Sequence, residues 1–470
     1  MYSALIPIVK NAKNSKCSAD NYRLIAISSL ILKIFDHIVL SLYSSHFGSD
    51  NLQFGYQKFH STSKCTMSWT LIETANYFVN RGSPVYICLL DLSKAFDTIK
   101  HDLLFEKLSH KLPPIFLRLV MFSYLHQHVY VRWNGVESDE FSVKNGVRQG
   151  AVASPIFFNL YIDNLFTLLK DSGLGCTIEN LYYGFLGYAD DGALLAPSRQ
   201  ALQQMLNICS SYFEAHGIKI SVNDIVIKSK TKCLAINVGV IPENIKLYGK
   251  PLPWVDSHFH LGSLVHMDGS MNHDLLCKRA EFISKIHSLR QELGDQSPDV
   301  FIKLVNIYLV SMYGSNCWDL FGVVAQKLFA SWNVLIKTTF NLPFSTHRFI
   351  VQDLVNVPHL RVQLLKRFVK FYFRLKSCVK PEIRYLLNLQ KSDFRSTFGR
   401  NCLYLCQELN VENIENVNIN EISMPIKTPG LDSWRDPFLR DLITLRDSKP
   451  DSNFIPKTEL QDFINYVCCS

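Results

Sequence analysis

Two apolar runs next to acidic residues stand out in the hydrophobic pattern of the chain. The run Val85–Leu90 ends at Asp91, and its length and continuity predict a buried strand. The stretch GFLGYADDGALLAP, residues 184–197, predicts a strand, a tight turn and a second strand, because Asp191-Gly192 is a favourable turn pair with apolar residues on both sides. The same pattern places Asp190 and Asp191 at the tip of this hairpin.

Other segments have the spacing of helices and of one further hairpin. Asn134-Gly135 favours a two-residue turn between two short strands. The stretch ASPIFFNLYIDNLFTLLK, residues 153–170, is apolar on every turn and predicts one long buried helix, with Ser154 as its N-cap and Pro155 at its first position. Helical spacing also dominates residues 270–390, which predicts a helical domain.

The composition is that of a basic globular protein. A length of 470 residues predicts about two to four subdomains, and 47% hydrophobic with 19% charged residues is enough apolar material for packed cores. Lys and Arg total 49 against 41 Asp and Glu; residues 407–470 hold 6 basic and 11 acidic residues, so residues 1–406 carry a net +13. This excess favours a polyanionic partner, although many basic soluble proteins have none.

Membrane and secretion signals are not evident in the sequence. No run reaches the roughly 18 apolar residues of a membrane span, and the first ten residues lack the basic start of a secretory signal. The 13 cysteines lack the Cys and His spacing of a zinc site, which favours reduced, buried thiols. We therefore expect an intracellular protein, in the nucleus, the cytoplasm or both, without membrane contact.

Three carboxylates are candidates for a shared site. If the strand ending at Asp91 neighbours the hairpin with Asp190 and Asp191, the acids crowd together, and their mutual repulsion is relieved by a divalent cation such as Mg²⁺. Two ions about 4 Å apart would serve phosphoryl transfer. Taken one site at a time, ordinary turn chemistry and helix capping are the favoured explanation of the same residues.

Three motifs, in order, carry a family resemblance. LLDLSKAFD (89–97), NGVRQGAVASPIFFNLYI (145–162) and GYADDGALL (187–195) resemble motifs A, B and C of reverse transcriptases from LINE-type (non-LTR, Jockey-like) retrotransposons. LIPIVKN (5–11), NYRLIAISS (21–29) and QFGYQKFHST (53–62) resemble the family's finger motifs, and LPWVDSHFHLGSLV (252–265) resembles its primer-contacting hairpin. The resemblance covers about residues 1–265.

The resemblance implies an RNA-directed DNA polymerase with two Mg²⁺ or Mn²⁺ ions. Its partners would be an RNA template, a DNA primer and deoxynucleoside triphosphates. The implied site residues are the metal-binding and catalytic Asp91, Asp190 and Asp191, the nucleotide-binding Lys10, Arg23, Phe96, Gln149 and Gly150, and the primer-contacting Phe259, His260, Leu261 and Gly262. Lys230 is a candidate general acid for pyrophosphate, and Phe96 would exclude a 2′-hydroxyl.

The implied fold is α+β, with the right-hand architecture of polymerases. We expect fingers at 1–84, a palm with interleaved finger elements at 85–265, a helical thumb-like domain at 266–390 and a C-terminal extension of unknown role at 391–470. In the thumb, Lys366, Lys370 and Arg374 recur every four residues and form a stripe that would follow a phosphate backbone. A solvated helix face explains the same stripe.

Several positions depart from the family pattern. Leu24 stands where the family has Pro, Gln57 and Phe59 stand where Arg and Gly are usual, and about four residues, 225–228, are inserted before Lys230. We find no endonuclease, ribonuclease H or zinc-knuckle signature and expect none in this chain. A second function therefore stays open, that of a catalytically inactive or host-adopted relative that binds RNA or an RNA–DNA hybrid.

Overall fold

The computed structural model describes residues 2–11, 15–57, 65–240, 243–294, 297–346 and 357–422. Contacts divide the chain into two compact units: unit 1 takes residues 1–261, 265–269 and 379–386, and unit 2 takes 262–264, 270–378 and 387–470. Phe59 and the part of the predicted C-terminal extension from residue 423 onward lie outside the described residues. The division into fingers, palm and thumb stays a prediction.

Sixteen strands are found among the described residues, most of them short. They are β1 (Tyr2–Val9), β2 (Tyr22–Ser28), β3 (Val85–Ser93), β4 (His128–Trp133), β5 (Val136–Glu137), β6 (Phe141–Ser142), β7 (Thr177–Ile178), β8 (Leu181–Tyr182), β9 (Phe185–Tyr188), β10 (Asp191–Ala196), β11 (Lys219–Ile220), β12 (Lys232–Ile236), β13 (Lys246–Leu247), β14 (Lys250–Pro251), β15 (Ser257–His260) and β16 (Ser263–His266).

The α-helices of the described residues alternate with these strands and then follow them. They are α1 (Leu30–Tyr43), α2 (Thr66–Val79), α3 (His101–Ser109), α4 (Pro114–Leu125), α5 (Ser154–Ile162), α6 (Asn164–Asp171), α7 (Arg199–Ala215), α8 (Asn272–Leu293), α9 (Pro298–Tyr308), α10 (Val323–Thr339), α11 (Leu360–Lys376), α12 (Pro381–Gln390) and α13 (Thr397–Leu409). None of these helices combines the length and the hydrophobicity that a bilayer span requires.

Unit 1 is built on two sheets that confirm the predicted α+β class. In the central sheet the order is β11-β3-β10-β9, and β12 also pairs with β3; all of these pairs are antiparallel. The second sheet has the order β2-β1-β4-β5, with β6 on β4, and contains one parallel pair, β1 with β4. The Asn134-Gly135 turn joins β4 to β5 with both residues at positive φ, as predicted.

The prediction of one long helix after residue 153 is wrong in two respects. The segment is two helices, α5 and α6, broken at Asp163, and Ser154 is the first helical residue while Ala153 occupies the N-cap. Tertiary contacts explain both differences, since the N–H of Ala153 donates to Asp36 at 3.3 Å and the Asp163 carboxylate accepts the N–H of Asp50 at 2.8 Å. Pro155 is the second helical residue, one position later than predicted.

Helices α8 to α11 lie in unit 2, within the residues 270–390 that are predicted to be helical, whereas α12 begins in unit 1. Phe282 of α8 and Trp332 of α10 pack with ring centroids 6.4 Å apart. The carboxylate of Asp274 is fully buried at the start of α8, where it accepts the indole N–H of Trp318 at 2.7 Å and the N–H of Leu264 at 2.8 Å. These bonds offset the cost of burying the acid.

A buried ion pair holds the turn before α5. Asp36 of α1 lies 3.9 Å from Arg148, and both side chains are almost fully buried. The Arg148 guanidinium stacks over the ring of Tyr124 at 4.8 Å, which ties α4 to the same pair. Burial raises the pKa of Asp36, and Arg148 partly offsets that rise. The pair therefore fixes the residue that immediately precedes the predicted nucleotide-binding Gln149-Gly150.

Removing one partner of this pair should leave the other as an uncompensated buried charge. We expect Asp36→Leu or Arg148→Met to lower the free energy of unfolding by about 3 kcal/mol each. The double variant should lose less than the sum of the two, because it buries no unpaired charge. Urea unfolding of the four proteins measures this, and strictly additive losses would contradict the pairing.

Candidate active site

The strands that carry the acidic residues are direct neighbours in the central sheet. β10 pairs with β3 in the register that sets Asp191 opposite Asp91. Cα atoms in such pairs lie about 4.5–5.5 Å apart. Behind the acids, Leu194 faces Cys88, and all four residues that follow Gly192 on β10 are fully buried. The carboxylates therefore lie where this pair of strands leaves the core.

The turn between β9 and β10 differs from the sequence prediction. Its two residues are Ala189 and Asp190, whereas Asp191 and Gly192 belong to β10. Ala189 has a φ of 54°, in the left-handed region that residues with a Cβ rarely adopt. Only Asp190 is in the turn itself, and Asp191 is the first residue of the strand.

Burial and like charge raise the pKa values of the two neighbouring acids. The pKa of Asp191 rises to about 7, chiefly through burial and then through the charges of Asp190 and Asp91. Burial also raises the pKa of Asp190, and Asp91 adds to the rise. The three carboxylates thus lie close enough to interact, and the cluster is short of positive charge.

Asp91 has two polar neighbours on the loop before β12. Its backbone N–H donates to the Thr231 hydroxyl at 3.3 Å, and its Oδ2 lies 3.7 Å from Nζ of Lys230. That oxygen is buried and has no hydrogen-bond donor among the described residues. The inserted residues 225–228 include a 3₁₀ turn and leave Lys230 beside the cluster.

The donor set suits a hard divalent cation. Asp91 and Asp191 on paired strands and Asp190 in the adjoining turn supply only oxygen ligands, and one of those oxygens is buried without a donor among the described residues. Mg²⁺ and Mn²⁺ prefer such ligands and would remove the repulsion that raises the pKa of Asp191. Asp91, Asp190 and Asp191 therefore fit the metal-binding residues that the sequence predicts.

Two predicted finger cations lie at one end of the β1–β2 pair. Arg23 is opposite Ile8, and the backbone N–H of Lys10 donates to Asn21 at 2.7 Å. Both cationic side chains are exposed. Arg23 is near enough to Asp190 to offset part of the rise that burial causes in its pKa, so the structure brings this cation to the acids.

The residues predicted to contact the nucleotide are linked to one another. The Phe96 ring stacks on Phe158, with centroids 4.5 Å apart and planes at 19°. Gln149 donates from Nε2 to Asp97 at 2.7 Å, and its carbonyl accepts the N–H of Ala26 in β2 at 2.7 Å.

Gly150 completes this group at a position that favours glycine. It has a φ of 104°, and a Cβ there would lie 3.2 Å from the Ala26 carbonyl oxygen. Phe96, Gln149 and Gly150 therefore form one connected group with β2.

The predicted primer-contacting residues occupy the β15–β16 hairpin. Leu261 and Gly262 form its turn, both at positive φ. Phe259 is 54% exposed, whereas His260 is buried, and burial lowers the pKa of His260 to about 4. Of these two side chains, that of Phe259 is the one available to a ligand.

The predicted cationic stripe lies on α11 in unit 2. Lys370 is exposed, and Lys366 and Arg374 are half-buried. The opposite side of the helix is buried and includes Phe368 and Tyr372. The helix is therefore amphipathic in the sense that the sequence predicts, and the role of its cations stays a prediction.

Three residues near the acids were not predicted as site residues. The Gln53 side chain accepts the N–H of Ala189. Burial raises the pKa of Tyr56, and the nearby charge of Asp190 adds to that rise. Burial lowers the pKa of His258, and the charge of Asp91 partly opposes that change. Gln53 and Tyr56 belong to the QFGYQKFHST motif, so the sequence does mark their segment as similar to a finger motif of the family. Nothing in the local pattern connects that motif to residue 189.

Comparisons with known proteins agree with the motifs. Residues 9–238 match the family model for reverse transcriptase (RNA-dependent DNA polymerase). The retrovirus-related Pol polyprotein from the type-2 retrotransposable element R2DM of Drosophila melanogaster is 27% identical over 243 residues, covering 51% of this chain and 22% of that protein. The RNA-directed DNA polymerase from the mobile element jockey, from the same organism, is 22% identical over 276 residues, covering 55% and 28%.

The chain thus matches less than a third of the length of either relative. Among solved structures, telomerase from Candida tropicalis in complex with a TWJ fragment of telomeric RNA covers 82% of this chain and 64% of its own, at 12% identity and a TM-score of 0.41. A likeness this distant supports no conclusion about function. Residues 9–238 of this chain are thus similar to reverse transcriptases, and the relatives from the R2 and jockey elements agree with the LINE-type, non-LTR resemblance that the motifs carry.

Proposed function

We propose that this chain is an RNA-directed DNA polymerase that extends a DNA primer on an RNA template. The observation that carries the proposal is the register of β3 and β10, which sets Asp91 against Asp191 beside Asp190. The raised pKa of Asp191 supports it, because a stable fold keeps repelling acids together chiefly where a cation or a reaction needs them.

The three acids would hold two divalent ions, Mg²⁺ or Mn²⁺. Such ions, when bound, would activate the primer 3′-hydroxyl and neutralise the departing pyrophosphate. Lys230, 3.7 Å from Asp91 and mostly exposed, is placed to give a proton to a leaving group that arrives beside the acids. We therefore keep Lys230 as the candidate general acid.

The nucleotide would be bound by the group around β2. Lys10 and Arg23 are exposed cations suited to a triphosphate, and Arg23 already interacts with Asp190. Phe96 is fixed by its stack on Phe158 and would form the floor beneath the sugar. Gly150, whose missing Cβ lets the chain lie against the Ala26 carbonyl of β2, would keep Gln149 beside the nucleotide.

Template and primer would be the nucleic-acid partners. The exposed ring of Phe259 and the Leu261-Gly262 turn would contact the primer, and Lys366, Lys370 and Arg374 would contact a phosphate backbone. Location in the nucleus or the cytoplasm stays a prediction.

A second candidate function is binding of RNA or an RNA–DNA hybrid without extension. It is favoured by one observation in the predicted fingers: Gln57 replaces the usual cation, and its amide donates to the Ser49 hydroxyl at 2.7 Å. Primer extension separates the two candidates, because only the polymerase incorporates nucleotides.

The first prediction that follows from this proposal concerns the acids. With Mg²⁺ or Mn²⁺, an RNA template and a DNA primer, the natural chain should incorporate deoxynucleotides, and Asp190→Asn should lower kcat by about 1,000-fold, since several kcal/mol of charge stabilisation are lost. Asp171→Asn, at an exposed acid at the end of α6, is the control and should change nothing. Retained incorporation in Asp190→Asn would contradict the proposal, and binding without incorporation by the natural chain would support the second candidate.

The second prediction concerns the sugar. Phe96→Ala should lower the preference for deoxynucleotides over ribonucleotides by about 10- to 100-fold in kcat/KM, because the wall against a 2′-hydroxyl is removed. Phe96→Tyr keeps the ring and should keep the preference. Steady-state incorporation of matched nucleotide pairs measures the ratio, and an unchanged preference in Phe96→Ala would rule out this role.

The third prediction concerns pH. Because the pKa of Asp191 is raised to about 7, incorporation at limiting Mg²⁺ should rise with pH up to about 7 and then level off. The midpoint should move to lower pH as Mg²⁺ increases, since metal binding displaces the proton. A midpoint independent of Mg²⁺ would contradict this account.

The proton that Asp191 binds also affects the stability of the metal-free chain. The folded state holds it more tightly than the unfolded state, so this contribution is fully present below about pH 4 and is lost as pH rises through about 7. Asp191→Asn should remove this fall. Thermal unfolding in chelator, compared across pH for both proteins, measures the difference.

A further inference from the structure

The turn that carries Asp190 is held by a side chain from a distant part of the sequence. Oε1 of Gln53 accepts the backbone N–H of Ala189 at 3.0 Å and that of Gly55 at 2.9 Å. Gln53 is fully buried, and its Nε2 has no hydrogen-bond partner among the described residues. The polar contacts described for this side chain are therefore those of an acceptor for two backbone donors.

The segment around Gln53 also pairs with β9. The N–H of Phe54 donates to the Gly187 carbonyl at 2.7 Å, and the N–H of Gly187 donates to the Leu52 carbonyl at 3.0 Å. This short parallel bridge fixes Gln53 beside the strand that leads into the turn.

Two glycines allow this close approach. A Cβ at Gly55 would lie 2.4 Å from the Ala189 nitrogen, and a Cβ at Gly187 would lie 2.8 Å from the Phe166 ring. Neither position accepts a side chain without displacement.

A buried lysine fixes Gln53 from its other side. Nζ of Lys380 donates to the Gln53 carbonyl at 2.8 Å and lies 4.6 Å from the centre of the Phe54 ring. Lys380 is only 7% exposed. A second buried donor, Nδ2 of Asn159, binds the Gly55 carbonyl at 2.8 Å. The backbone from residue 53 to residue 55 is thus held in place before it binds the turn.

The turn needs such support for two physical reasons. Ala189 has a left-handed backbone that a residue with a Cβ adopts only under constraint from its surroundings. The acids that follow it, Asp190 and Asp191, repel each other and Asp91, which favours opening of the turn until a cation binds. A fixed acceptor on the Ala189 N–H opposes both effects.

We infer that Gln53 is a positioning residue for catalysis, which holds the Ala189-Asp190 turn in its metal-binding geometry, and that Lys380 holds Gln53. The inference rests on the proposed polymerase function. Gln53 and Lys380 do not touch the reacting groups, so their effect is expected on metal use and turnover and not on binding of the primer and template.

Gln53→Met tests this inference, because it keeps the length of the side chain and removes the acceptor. We expect the Mg²⁺ concentration for half-maximal incorporation to rise, and kcat to fall, by about tenfold, as is typical when a buried donor loses its partner. The dissociation constant for primer and template should stay the same. Hydrogen exchange in residues 185–196 should become faster.

Asn401→Leu is the matched control. Asn401 is a buried amide of unit 2 that accepts the N–H of Leu320 at 3.0 Å and donates to the Trp318 carbonyl at 2.8 Å. Its loss should lower stability but leave the Mg²⁺ dependence unchanged. A similar shift in the control would mean that general destabilisation explains the result, and the inference would fall.

Lys380→Met provides a second variant if Gln53→Met does not fold. It keeps the aliphatic part of the side chain over Phe54 and removes the donor to Gln53, so we expect shifts in the same direction but smaller. Unchanged exchange in residues 185–196 in a folded variant would overturn the inference. Faster exchange with unchanged Mg²⁺ dependence and kcat would make Gln53 purely structural and would overturn it as well.

Failure of the proposed function gives a different result. If the natural chain incorporates no nucleotide on any template, the polymerase proposal fails. Exchange at residues 185–196 in the Gln53→Met and Lys380→Met variants still decides whether these residues hold the turn. If the natural chain incorporates nucleotides and neither variant differs from it, the inference fails and the polymerase proposal stands.

Discussion

The antiparallel pairing of β3 with β10 is the constraint on which the candidate site depends. Its register brings Asp91 and Asp191, a hundred positions apart in the sequence, to opposite sides of one cross-strand pair. Behind them the two strands are almost entirely apolar and buried. Burial of those residues stabilises the pairing, and the same pairing forces the acids together at considerable electrostatic cost.

Much of the structure around this pair keeps the acids in place despite their repulsion. Gln53 and Lys380 hold the turn from one side, and the Asp36–Arg148 pair fixes the approach to Gln149 and Gly150 from another. Arg23 and Lys230 bring positive charge to the edge of the acidic cluster, but the pKa values of Asp190 and Asp191 remain raised. This arrangement suits a site that takes up a divalent cation with its substrate and is ready before the cation arrives.

The sequence predicts those parts of the fold that depend on local pattern. The buried run of β3, the Asn134-Gly135 hairpin and the helices of unit 2 follow from periodicity and turn chemistry. The location of the turn that carries Asp190 does not follow from local pattern, because Asp191-Gly192 has ordinary turn chemistry but pairs with β3 and β9 as the start of β10. Gln53 and Lys380 were missed because their contacts span 136 and 327 residues, and no local pattern records them.

The central claim is that Asp91, Asp190 and Asp191 form a single divalent-metal site. Anomalous diffraction from crystals of the chain grown with Mn²⁺ tests it most directly, because manganese is located independently of the protein atoms and of any activity. The account predicts a manganese peak in contact with carboxylate oxygens of Asp91 and of at least one of the other two acids. Crystals in which Mn²⁺ is bound elsewhere, or in which these carboxylates point away from one another without a shared peak, would contradict it.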